Sequence, residues 1–157
     1  FIRVEADEVT YNLHVMLRYE IEKQLFNGEL EVDDLPTAWN SMFKDWFGIE
    51  VPEDRLGCLQ DIHWSMCAFG YFPTYTLGNL YAAQLLEAMS AELGDVDDLI
   101  GAGDWQPMLD WLRPRIHARG SLVSPAQIIE DATGSPPSPE PFLRYVERKY
   151  GALYGLD

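Results

Sequence analysis

A chain of 157 residues has the size of one ordinary domain, and 47% hydrophobic with 13% aromatic residues excludes the disordered class. Its 11 Lys and Arg against 26 Asp and Glu give a formal charge of -15, a field that repels nucleic-acid backbones and anionic lipid, so neither is expected as a partner. Cys58 and Cys67 form no Cys-x-x-Cys motif and predict buried reduced thiols in a cytoplasmic protein, and no apolar run reaches the ~18 residues needed to span a bilayer.

The chain opens at Phe1 inside a dense polar-apolar pattern, from which a piece of a longer polypeptide is expected. Residues 4–26 lack Pro and Gly, and Val9, Leu13, Met16, Leu17, Ile21 and Leu25 recur near the 3.6-residue period, predicting one long helix that Gly28 stops. Asp33, Asp34 and Pro36 read as the start of a second helix, with Trp39, Phe43, Trp46 and Phe47 as its buried face and Gly48 as its end. Residues 49–70, punctuated by Pro52, Gly57 and Gly70, read as a structured loop with room for a short helix over 59–68.

A third helix is expected over 76–93, closed by Gly94. Residues 95–101 make one turn or two. Asp104 reads as the N-cap of a helix over 105–117, which Pro114 should bend or break. Ser124-Pro125 opens another over 126–132; residues 134–139, with three prolines, form a linker; and residues 141–150 close the chain as a last helix. With no period-2 strand and no internal repeat, the expectation is a single all-α region over residues 1–157.

If residues 4–26 are helical, Asp7, Tyr11, His14 and Arg18 share one stripe, either as an interhelical hydrogen-bond network or as part of a site. Residues 57–75 then bring Gln60, Asp61, His63, Tyr71 and Tyr75 into one Gly-punctuated stretch, the composition of a pocket wall. His14, His63 and His117 never approach His-x-x-x-His spacing, which argues against a zinc site built here. Ser65 and Cys67 near His63 lack any nucleophile elbow or protease signature. The residue types fit best a substrate wall, in which His63 with Tyr75 or Tyr71 donates hydrogen bonds to a developing oxyanion.

Ile2-Arg3-Val4-Glu5-Ala6-Asp7 resembles the Ile-Arg-x-x-Ala-Asp motif of carboxypeptidase Taq metallopeptidases, and residues 57–64 resemble their Gly-x-x-Gln-Asp-x-His-Trp motif. The continuation through Gly70-Tyr71-Phe72-Pro73-Thr74-Tyr75 is also similar, so the likeness covers the whole chain as roughly the final third of such an enzyme. It implies an all-helical, saddle-shaped and usually homodimeric enzyme that removes single residues from the free C-terminus of a peptide. It also implies zinc or another divalent metal, held by a His-Glu-x-x-His helix and a following acidic ligand N-terminal to the first motif, so that no cofactor is expected on this chain and its partner is the N-terminal part of the same enzyme. Within that frame Arg3 is the candidate clamp for the substrate carboxylate, since a guanidinium meets a carboxylate through two parallel charge-assisted bonds; an ion pair with Asp7 is the structural alternative. His63 and Tyr75, then Tyr71, are the oxyanion candidates, while Gln60 and Asp61, in the substrate-binding wall, orient His63 or a neighbouring loop. The rival class is a helical interaction module presenting aromatic faces around Trp39, Trp46 and Trp105.

Overall fold

The computed structural model describes residues 1–156, and among them only helices and turns occur. Seven α-helices follow in order: α1 (Tyr11–Asn27), α2 (Leu35–Phe47), α3 (Pro73–Leu93), α4 (Val96–Ala102), α5 (Gln106–Leu112), α6 (Pro125–Thr133) and α7 (Glu140–Tyr154). They divide into two compact units, Phe1–Leu77 and the residues from Gly78 on, with the boundary inside α3.

In the first unit the sequence periodicity overstates the opening helix. Residues 3–5 form only a 3-10 turn, and α1 starts at Tyr11 because the Asp7 carboxylate accepts the backbone N–H groups of Val9 and Thr10, both at 2.9 Å, and holds a turn there. Val9 and Met16, expected inside, are exposed. The stop is as expected: Gly28 adopts φ 71, and its N–H returns to Gln24 and Leu25 carbonyls. On α2, Trp39 and Phe43 are buried while Trp46 is 38% exposed, which places it off the core face.

The core of this unit joins Leu17 and Ile21 of α1 to Trp39 and Phe43 of α2 and to Cys58. Each fully buried large apolar side chain contributes about 1.5–3 kcal/mol, so these few residues suffice to fix the α1–α2 contact. Gly57 lies against that core so closely that a Cβ would stand 2.9 Å from Val51 and 3.3 Å from the Trp39 indole, which explains why glycine opens the second motif. Residues 49–72 hold two 3-10 turns, Asp54–Leu56 and Trp64–Met66, and no α-helix over 59–68. Cys58 is buried, but Cys67 is exposed and takes a left-handed φ of 57, contrary to the expectation of two buried thiols.

The second unit packs Met89, Val96, Trp111 and Ala132 together. Asp95 caps α4 by accepting the Asp97 N–H at 2.9 Å, and Ser124 caps α6 through the Gln127 N–H. The helix expected over 105–117 changes character at Pro114, which has no N–H to continue the ladder. Arg113–His117 widens into a π-helix turn whose Arg113 carbonyl accepts from Ala118 at 2.8 Å. Trp105, not Asp104, stands at the N-cap of α5. The linker is tied by Gln84 of α3: its amide NH2 donates to Thr133 Oγ1, Ser135 O and Pro136 O, and its Oε1 accepts the Ser138 N–H.

Candidate functional site

The candidate residues gather in the first unit, where the 3-10 turn at residues 3–5, α1, the 57–72 segment and the first turn of α3 meet. Asp61 is the hub. Arg3 donates to it from Nη2 at 2.8 Å and Nε at 3.3 Å, and Arg18 donates from Nε at 2.7 Å to the other oxygen, with its Nη2 also 2.7 Å away. The pairing of Arg3 is thus with Asp61, 58 residues on, and not with Asp7. Arg3 also donates from Nη1 to Tyr11 Oη at 2.7 Å, and Arg18 from Nη1 to the His14 carbonyl at 2.6 Å. Gln60 fixes the backbone beside this cluster: its Oε1 accepts the Arg3 N–H at 2.8 Å, and its Nε2 donates to the carbonyls of Phe1 and Leu56.

Two guanidiniums facing one carboxylate, with Arg3 4% and Arg18 0% exposed, make a buried cluster of net positive charge in an acidic chain. Burial alone would raise the Asp61 pKa, but hydrogen bonds from Arg3 and the charge of Arg18 outweigh it and hold the carboxyl below its ordinary value. Burial lowers Arg18 to about 10 against the opposing pull of Asp61, which leaves it protonated at neutral pH. Arg3 is desolvated too, yet its bonds to Asp61 and the neighbouring Tyr11 leave its pKa raised. His14, packed on Phe47 at 4.5 Å between ring centroids, is lowered to about 4, first by burial and then by the charge of Arg18, so it is neutral at pH 7.

An aromatic wall lines the cluster. Buried Phe72 lies under both guanidiniums, at 5.8 Å from Arg3 and 5.4 Å from Arg18, and the Arg3 guanidinium also sits 4.9 Å from the Tyr75 ring centroid. His63 packs on Phe72 at 4.3 Å, and its Nε2 is 3.0 Å from Tyr75 Oη, a hydrogen bond between the two oxyanion candidates. The His63 Nδ1 stands 4.0 Å from Asp61 Oδ1, beyond hydrogen-bond length. Tyr71 is 50% exposed, with its ring 5.4 Å from that of Tyr75 and 5.8 Å from that of His63. Thr76 Oγ1 donates to Asn12 Oδ1 at 3.0 Å and so anchors the start of α3 to α1.

All six sequence candidates, Arg3, Gln60, Asp61, His63, Tyr71 and Tyr75, therefore come together. Of the stripe, Tyr11, His14 and Arg18 join them, and Asp7 stays at its own turn. Sequence reasoning missed Phe72 as the floor of the wall and Glu22 as its support. Buried Glu22 accepts the Trp64 indole N–H at 2.8 Å and the Gly70 N–H at 3.0 Å, yet in sequence it reads as one more solvated acid beside Lys23. Trp39 is 1% exposed and unavailable as an interaction surface. Asp61 faces guanidiniums and Glu22 is engaged by N–H groups, so neither carboxylate is turned toward a metal, and no three His, Cys, Asp or Glu side chains cluster among the described residues.

Both motifs fold into one polar wall on helical supports. The profile of the Carboxypeptidase Taq (M32) metallopeptidase family matches residues 1–150. The chain is 54% identical over 154 residues to Thermostable carboxypeptidase 1 of Thermus thermophilus, spanning 98% of this chain and 30% of that protein. It is 46% identical to Carboxypeptidase 1 of Bacillus subtilis over 99% of this chain and 31% of the relative. The crystal structure of the M32 carboxypeptidase from Deinococcus radiodurans superposes with a TM-score of 0.92 at 38% identity, covering 99% of this chain and 31% of that one. Trypanosoma cruzi metallocarboxypeptidase 1 gives 0.90 at 45% identity, over 95% of this chain and 32% of its own. This chain belongs to the carboxypeptidase Taq (M32) family of metallopeptidases, and it spans about a third of the length of the relatives it matches.

Proposed function

We propose that this chain forms the substrate-binding wall of a zinc-dependent carboxypeptidase that releases C-terminal amino acids from peptides, with the metal and the general base held by an N-terminal part of the same enzyme. The observation that carries the reading is the His63–Tyr75 pair, 3.0 Å apart, set against a buried cluster of net positive charge. A peptide C-terminus presents two features to be recognised, a carboxylate and the carbonyl of the last peptide bond. The surplus charge of Arg3 and Arg18 over Asp61 supports a role at the first, with Arg3 as the clamp candidate although it is 4% exposed and its Nη1 and Nη2 already donate to Tyr11 and Asp61. The Tyr75 hydroxyl suits the second: with the His63 Nε2–H donating to the Tyr75 oxygen, the Tyr75 O–H is left to donate to the oxygen that becomes negative, and Tyr71 stands at the exposed edge as a second phenol. Asp61 and Gln60 hold Arg3 in place.

When bound, the metal would polarise the scissile carbonyl and lower the pKa of attacking water. Alone, this chain should then bind no stoichiometric zinc and cleave no peptide. The test is Arg3→Ala in the full-length enzyme carrying this segment. KM for peptides with a free C-terminus should rise by roughly 100-fold, the loss of a charge-assisted pair, with metal content unchanged. An undiminished preference for the free over the amidated C-terminus would remove Arg3 from the clamp role.

A further inference from the structure

The candidate pair depends on residues 63–71, and one buried carboxylate grips this segment near both ends. Glu22 on α1 is 4% exposed; Oε1 accepts the indole N–H of Trp64, the neighbour of His63, and Oε2 accepts the N–H of Gly70, the neighbour of Tyr71. Between these points the segment closes on itself, with Ala68 N–H donating to the His63 carbonyl at 2.9 Å and Cys67 N–H to the Trp64 carbonyl at 3.0 Å. Its outer side chains Met66 and Phe69 are 67% and 43% exposed, so apolar burial on that side does little to hold it. Trp64 is wedged edge-on against Trp39 and Phe72, which fixes its ring only if the indole N–H is satisfied. Two charge-assisted bonds from a single acid are the strongest polar tether the segment has.

We propose that Glu22 is a positioning residue for the reaction: by gripping Trp64 and Gly70 it sets the ring of His63, and hence the hydrogen bond to Tyr75, in the reactive geometry. This rests on His63 and Tyr75 acting as the oxyanion pair. A glutamine at position 22 has one acceptor oxygen and an NH2 that meets a donor with a donor, so one of the two N–H groups is left unpaired. An aspartate keeps both acceptors on a shorter stem.

The experiment compares Glu22→Gln and Glu22→Asp with the parent in the full-length enzyme carrying this segment, by hydrogen exchange of residues 63–71 and by steady-state peptide hydrolysis. In Glu22→Gln, exchange confined to 63–71 should quicken by roughly tenfold, with kcat falling about tenfold and KM within about twofold; Glu22→Asp should recover part of kcat. Unchanged exchange over 63–71, full kcat despite faster exchange, or a kcat loss matched by an equal loss of folded enzyme would each overturn the proposal. Should Glu22→Gln fail to fold, Glu22→Asp decides on the same readouts. A His63→Ala enzyme with full kcat would instead remove the oxyanion reading and leave the exchange result on Glu22 standing.

Discussion

The two units of this chain bury different things. Among the described residues the first encloses Arg3, Asn12, His14, Arg18 and Glu22 beside its apolar core, whereas the second encloses one polar side chain, Gln84, and an apolar core of Met89, Val96, Trp111 and Ala132. Buried charge is expensive even when paired, and an apolar replacement of similar shape is often as stable. The first unit therefore carries a cost that the second avoids, and it carries it where both sequence motifs lie. The polar group of the second unit serves its architecture, since Gln84 ties the end of α6 at Thr133 to the linker that leads to α7.

The largest expected effect comes from removing the hub. Asp61→Ala strands two buried guanidiniums and should cost about 3–5 kcal/mol, read as a fall in the urea midpoint, while Asp61→Leu paired with Arg18→Met should recover much of it. If Asp61→Ala costs no more than a surface substitution, the first unit is not held by its charges. The second effect is a dependence on pH. His14 titrates near 4 when folded and near 6.5 when unfolded, so the unfolded chain takes up the proton first. Its contribution is intact above pH 6.5, declines as pH falls toward 4 and is constant below, a loss of about 3 kcal/mol at most. Replacement by Phe should flatten the urea midpoint across that window. Asp61 adds a separate loss at lower pH: its pKa is depressed in the folded chain, so the unfolded chain takes up the proton first and the contribution declines from the ordinary carboxylate value down through the depressed one. The smallest effect belongs to the second unit: Gln84→Ala should cost about 1–3 kcal/mol, the penalty of unsatisfied linker groups, with no dependence on pH.

The same contrast governs how much could be read from sequence. Helix stops at Gly28, Gly48 and Gly94 and the cap at Ser124 were legible because each is a local matter of one backbone angle or one side-chain acceptor. The start of α1 was not, because the apolar period runs on through residues that the Asp7 turn holds out of the helix. The π-helix turn after Leu112 needed the knowledge that the chain widens at Pro114 and does not stop. Among site residues, His63 and Tyr75 stood out by type within a Gly-punctuated stretch. What pairs with what did not: Arg3 and Asp61 are 58 residues apart, Arg18 and Asp61 43, and only folding chooses Asp61 over the nearer Asp7. Glu22 was hidden because an acid followed by a lysine on a helix has the signature of a solvated face, and only its burial against Trp64 and Gly70 distinguishes it.

The proposed division of roles between this chain and a metal-bearing N-terminal part meets its most direct test at Tyr75. In the full-length enzyme, Tyr75→Phe deletes one hydroxyl 3.0 Å from His63 Nε2 and leaves the ring against Arg3. The predicted result is a kcat lower by roughly 100-fold, the loss of one oxyanion donor, with bound metal and KM unchanged. Full kcat, or loss of the metal together with activity, would contradict the account.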